Sequence, residues 1–183
     1  MRQMSGHSGQ VDANMELESF SKDFLIKLLK LYSRLYLALD GFWYLSVKER
    51  SGNEQALACD LWVWEIMSRY ELSKVTELLG IQGNNVSTFI KAIRFTPWFW
   101  NMKYEVEVNN ENDAILTVSH CPTLEALEKE GEGREESICR DVDTIMFQNY
   151  AQFFNPDMQA IPLKLPPRKS REEICCQWQF KVR

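Results

Sequence analysis

The stretch Lys103-Tyr104-Glu105-Val106-Glu107-Val108, with Asn109-Asn110-Glu111-Asn112-Asp113 and the returning Ala114-Ile115-Leu116-Thr117-Val118-Ser119-His120, decides the fold. Polar and apolar residues alternate through the first six positions, as in a half-exposed strand. Turn formers follow and the alternation resumes, which predicts a β-hairpin with a loop of about five residues. On the returning strand Leu116 and Val118 share a face with His120. Ile115, Thr117 and Ser119 share the other with Cys121.

Upstream the period is helical. Phe24, Leu25, Leu28, Leu29, Leu31, Tyr32, Leu35, Tyr36 and Leu39 recur at threes and fours, and so wide an apolar face predicts a well-buried helix. Asp40-Gly41-Phe42-Trp43-Tyr44-Leu45 clusters aromatics around a glycine, the mark of a kink or a close helix contact. Ser51-Gly52-Asn53 breaks the pattern. A second helix is expected from Glu54 to near Tyr70, with Leu57, Leu61 and Trp64 inward. A third should run from Ser73 to Leu79 before Gly80, and a fourth from Val86 to Ile93, closed off by Pro97.

Downstream of the hairpin, Pro122-Thr123 starts a charged helix to Lys129, and Cys139 leads a longer one stopped by Asn155-Pro156. Strands over 160–165 and 175–182 flank the loop Pro166-Pro167-Arg168. In the last strand Cys176, Trp178, Phe180 and Val182 should face the core, and Cys175, Gln177, Gln179 and Lys181 the solvent. The expected architecture is α+β: a helical N-terminal half (17–100), then a β-β-α-α-β-β half (101–183) with an antiparallel sheet. Both halves belong to one domain spanning 17–183. Residues 1–16, rich in Ser, Gly, Gln and Asn, read as a disordered tail that takes His7 with it.

The 183 residues are 45% hydrophobic and 12% aromatic, enough for a packed core of that size. A net charge of -5 speaks against nucleic-acid binding, which relies on basic residues to neutralise phosphates. No apolar run is long enough to span a membrane, and the N-terminus lacks the apolar core of a secretory signal. Five cysteines, an odd number without an export signal, point to reduced thiols in a cytoplasmic protein. Gly-rich phosphate loops, H-E-x-x-H, G-x-S-x-G and a dinucleotide fingerprint are missing from the sequence.

Chemistry concentrates in the last fifty or so residues, between Ser119-His120-Cys121-Pro122, Cys139 and Cys175-Cys176. His120, Cys121, Cys139 and Cys176 offer one imidazole and three thiols, the ligand types of a tetrahedral zinc site. The same cysteines also read as small buried hydrophobes, above all Cys176 between core-facing aromatics. Cys121 precedes a helix start, whose positive end favours a thiolate, and His120 is the one nearby base. That dyad requires the strand to end or bulge, because strand neighbours point to opposite faces. Among the aromatics, Trp98 and Trp100 are candidates for holding a flat ligand or cofactor, since Trp98-Phe99-Trp100 cannot all face one core. Arg168-Lys169-Arg171 suits either an anionic substrate or a solvated loop.

Several of these residues carry a resemblance. Ala38-Leu39-Asp40-Gly41-Phe42-Trp43, the pair Trp62 and Trp64, and Phe95-Thr96-Pro97-Trp98 supply its N-terminal part. Cys121-Pro122, Cys139 and Cys176-x-Trp178-x-Phe180 supply the rest. Together they resemble a bacterial and archaeal family of small cytosolic proteins of unknown function, often labelled as related to L-2-amino-thiazoline-4-carboxylic acid hydrolases. The resemblance runs from residue 20 to 183 and implies a shared fold and a cysteine-centred site. The label implies ring opening of a cyclic thiazoline by water. Leu165 stands where similar proteins often carry another cysteine, a departure from a four-cysteine metal set. The ending after the proline loop is also similar to the four-vinyl-reductase domain, a small-molecule-binding fold.

The expected function is that of a cytosolic protein binding a small molecule or a metal, with zinc the metal this ligand set fits. One alternative is a cysteine-dependent hydrolase of a small sulfur heterocycle or amide, with Cys121 as nucleophile and His120 as base. Another is a non-catalytic partner or sensor. A small-molecule ligand and a homo-oligomer are the expected partners; nucleic acid and membrane are not.

Overall fold

The computed structural model describes residues 15–182. Most of the expected tail, with His7, lies outside them. Two long helices come first, α1 (Lys22–Ser51) and α2 (Asn53–Leu79). The Ser21 hydroxyl caps α1 by accepting the Phe24 N–H at 3.2 Å. Gly52, at φ 88°, makes the hairpin between them, and left-handed Gly80, at φ 61°, ends α2. The expected second and third helices are therefore one. Nothing at residues 70–73 breaks the backbone, and the Ser73 hydroxyl donates back to the Tyr70 carbonyl at 2.7 Å instead of capping a new start. Gly41 sits inside α1 without a close neighbour, since a Cβ there would meet nothing within 4 Å.

After α3 (Val86–Ile93) and a 3-10 turn at Phe99–Asn101, the chain enters β1 (Lys103–Asn110) and β2 (Asp113–His120). The hairpin turn is tighter than the sequence implied. Asn110 pairs with Asp113, so Glu111 and Asn112 alone make the bend, and the strand irregularity between Val108 and Asn110 takes up the remaining residue. The Asn110 side chain accepts the Asn112 N–H at 2.8 Å and so supports the turn locally. Then come α4 (Pro122–Glu130), a short α5 (Arg134–Ser137), a π-helical turn at Ile138–Val142, α6 (Asp143–Phe154), β3 (Met158–Lys164) and β4 (Cys176–Val182).

The four strands form one antiparallel sheet in the order β1-β2-β4-β3. The architecture is thus α+β, a helical half followed by a sheet-bearing half. Leu116 lies opposite Trp178 and Ala114 opposite Phe180, which makes one sheet face wholly apolar. Helix α6 packs on that face. The Phe147 ring lies 4.9 Å from that of Trp178, and Phe89 of α3 lies 4.6 Å from Phe180. Helix α2 covers the other side of α6: the Tyr150 hydroxyl donates to the carboxyl of Glu71.

Helix α1 departs from expectation. Of its 30 residues only Ser33 and Tyr44 are buried. The wide leucine face that predicts burial instead points away from the domain, because α2 and the 3-10 turn occupy only the opposite side of the helix.

Candidate functional site

Strand pairing gathers the thiols. Cys176 opens β4 directly opposite Val118 of β2. Cys121 follows the end of β2 in an extended conformation, and Pro122 fixes the first residue of α4. Cys139 lies inside the π-helical turn, where the Asp143 N–H bonds to the Ile138 carbonyl five residues back. The wider turn sets the Cys139 thiol beside the Asp143 carboxyl.

These four side chains line an inner cavity of about 60 Å³ under the helical half. Asp40 of α1, and Asp60 and Trp64 of α2, complete it, with Trp98 stacked on Trp64 at 5.7 Å. The inner cavity adjoins an outer chamber of about 580 Å³ between α1 and α4, and the two share Asp40, Asp60, Trp98 and Pro122. The outer walls are mostly apolar, with Phe42 and Leu45 on one side and Ala126 and Leu127 on the other. Ionisable groups enter at the chamber's two ends, Asp40 and Asp60 at the inner one and Lys129, Glu130 and Arg134 at the rim. Arg134 lies 4.6 Å over the Tyr44 ring and pairs with Glu130, which Lys48 also holds at 2.7 Å.

Burial governs the protonation of this site. It raises Asp40 to about 6 and Asp60 to about 7, although the Trp64 indole beside both pulls the other way. Burial likewise raises Asp143 to about 7. The Cys121 thiol is pushed up to about 12 by the same cause, which outweighs the α4 amides of Leu124 and Thr123 that favour the thiolate. Burial, reinforced by the Asp143 carboxyl, drives Cys139 and Cys176 well above the ordinary thiol range. At neutral pH the inner cavity therefore presents thiols that keep their protons and carboxyls close to their midpoints. Such a set can donate and accept hydrogen bonds and pair with a cation. Among the described residues no group of three or more His, Cys, Asp or Glu side chains is arranged to hold a metal ion.

Of the residues expected at the site, Cys121, Cys139, Cys176 and Trp98 line the inner cavity together. His120 does not. It ends β2 half-exposed, and its Nδ1 meets Glu125 Oε1 at 2.9 Å on the outer surface of α4. Alternation alone would turn His120 inward beside Val118, but the register slips at Ser119, since Tyr104 pairs with Val118 and Lys103 with His120. Cys121 therefore joins Val118 in the cavity and His120 faces out, so no Cys121–His120 dyad forms and His120 leaves the shared ligand set. Trp100 also lies outside the cavity, 41% exposed, with its indole N–H donating to the Arg94 carbonyl at 3.0 Å.

Cys175 reverses its expected role. It is 1% exposed, because it sits just before β4 and the loop after β3 folds over it, bringing Arg168 Nη1 to 3.6 Å from its sulfur. Its N–H donates to the Val118 carbonyl at 2.7 Å. Sequence reasoning missed Asp40, Asp60 and Asp143 altogether. A signal existed for Asp60: Ala56, Asp60, Trp64 and Ser68 recur every fourth residue on the buried face of α2, which places an acid at a core position.

A family described as "Family of unknown function (DUF6125)" matches residues 18–182. The chain belongs to this family. The match spans both halves, from just before α1 to the end of β4, so the cavity is built wholly from residues inside it. No curated protein and no solved structure matches the chain. Among the described residues no helix is long and apolar enough to cross a membrane.

Proposed function

We propose that the protein is a non-catalytic binder or sensor of a small, largely apolar molecule bearing a basic nitrogen. The ligand body fills the outer chamber and its basic group reaches the carboxyls behind it. One observation carries this reading. Asp40, Asp60 and Asp143 all line the inner cavity, yet among the described residues none of them makes a salt bridge. Asp60 is buried and Asp40 and Asp143 are partly buried. Carboxyls so placed without a cationic partner are costly when ionised, so a ligand cation that supplies the partner gains from each of them. The five free thiols fit a reducing, cytoplasmic setting.

The amidine end of the labelled hydrolase substrate fits the ligand class, whereas its carboxylate does not. A 2-amino-thiazoline is a small sulfur heterocycle with a basic amidine-type nitrogen. The step that finds no support is attack by Cys121, whose thiol is half-buried, protonated and without His120 beside it.

The test is calorimetry on the purified protein with benzamidine and 2-amino-thiazoline, each paired with a neutral analogue of equal size. Binding of the basic members alone, tighter at pH 8 than at pH 5 and lost in Asp60→Asn, is the expected result. Equal binding of the neutral analogues would overturn the basic-ligand reading. Stoichiometric zinc in the protein as isolated, lost in Cys121→Ser, would replace it with the metal reading.

A further inference from the structure

Helix α1 is apolar on both sides. The side facing the domain carries Tyr44, Tyr36 and Val47 against the core, with Ser33 and Asp40 among them. The side facing solvent carries Tyr32 at 58% exposure, Leu35 at 51%, and Leu39 and Phe42 at 70% each. An isolated exposed leucine needs no explanation, but a contiguous apolar face along a 30-residue helix does. Helix α2 repeats the pattern. Trp62, Ile66 and Tyr70, spaced by four, are 51–64% exposed opposite the buried Ala56, Trp64 and Ser68.

We propose that this face is the interface with a second copy of the chain, whose α1–α2 hairpin docks on it to complete a four-helix bundle. The spacing selects that occupant. Leu25, Leu28, Tyr32, Leu35, Leu39 and Phe42 alternate steps of three and four, the repeat that runs along a neighbouring helix instead of wrapping round its own. Leu29, Leu31, Trp43 and Leu45 widen the stripe, as in helices that meet two partners in a bundle. The extent fits as well. A standard interface buries about 800 Å² per partner. Eight leucines and aromatics on α1, each 42–70% exposed, offer surface of that order before α2 is counted. A two-fold axis needs one self-complementary patch, and an apolar stripe without charges along its centre is one.

Phe42 and Leu45 belong both to this stripe and to the wall of the outer chamber. The second copy would therefore complete the α1 side of the chamber mouth. The interface itself does not rest on what the chamber binds.

Sedimentation equilibrium at micromolar concentration tests the proposal. The expected mass is twice the 21.5 kDa of the chain. Leu35→Glu with Leu39→Glu, both outside the cavity lining, should weaken association at least tenfold with unchanged helical circular dichroism. Trp62→Ser on α2 is the second variant, and it should weaken association independently. A wild-type protein that stays at the chain mass overturns the proposal, as does a dimer indifferent to both variants. Flotation of the monomer with lipid vesicles would overturn it in favour of a membrane surface.

Discussion

Arg168 grips Glu128 with both prongs of its guanidinium: Nε donates to Oε1 at 2.6 Å and Nη2 to Oε2 at 2.8 Å. The remaining nitrogen donates to the Arg171 and Glu173 carbonyls at 3.2 and 3.3 Å. The pair ties the loop between β3 and β4 to α4, and through Cys175 to the start of β4. From the sequence alone, Arg168 with Lys169 and Arg171 was open to an anionic substrate. The Arg168 side chain is only 4% exposed and already fully bonded, so it is a structural clamp.

Arg168→Ala should therefore destabilise the protein by about 2–3 kcal/mol, since it strands the Glu128 carboxylate and two carbonyls. Arg168→Lys keeps the charge but not the fork and should recover only part of the loss. Urea unfolding followed by tryptophan fluorescence measures both.

Acidification should stabilise the fold between pH 8 and 5. Asp60, Asp143 and Glu71 titrate near 7 and Asp40 near 6 in the folded chain, against ordinary values of 3.8 for aspartate and 4.5 for glutamate. Over that window the folded state holds protons that the unfolded state has released, so stability rises as pH falls. Each group contributes at most about 1.4 kcal/mol per pH unit. The gain stops below the ordinary carboxylate range, where both states are protonated. Asp60→Asn should flatten the dependence and raise stability at pH 8.

Thiol labelling at pH 8 should show one fast site. Cys59 lies on α2 away from the cavity and is partly exposed. Cys121, raised to about 12, has roughly one thiolate in ten thousand at that pH, and burial holds Cys139 and Cys176 protonated as well. Cys59→Ser should abolish the fast phase, leaving only labelling that follows unfolding. A second fast cysteine at position 121 would restore the nucleophile reading.

His120→Ala should be almost silent. Its contact with Glu125 is a half-exposed surface pair, worth less than about 1 kcal/mol. Ligand affinity should not change, whereas a base acting on Cys121 would be missed at once.

The sheet-bearing half was the legible part. Period-two patterning marks Leu116 and Val118 of β2 and Trp178 and Phe180 of β4 as inward, but it sets Cys121 on the opposite face. Cys121 reaches Cys176 because β2 and β4 are neighbours and the register slip at Ser119 turns it to the Val118 side. What escaped was whatever depends on where an element sits. An aspartate on a helix normally means a wet face, and nothing local marks Asp40 or Asp143 as lying over a cavity. Cys175 looked solvent-facing from alternation alone, but its burial comes from a loop that folds back through Arg168. The leucines of α1 were legible as apolar but not as pointing outward, since periodicity reports a stripe and not its direction.

The π-helical turn at Ile138–Val142 makes the site separable from the fold. It inserts one residue into an otherwise regular helical run, and each residue of an α-helix turns about 100°. Deleting a single residue there would straighten the run and swing Cys139 out of alignment with Asp143, while leaving the apolar sequence of α6 intact. A one-residue deletion could thus produce an otherwise native scaffold with a dismantled cavity floor. The cavity chemistry and the packing of α6 on the sheet can in this way vary one without the other.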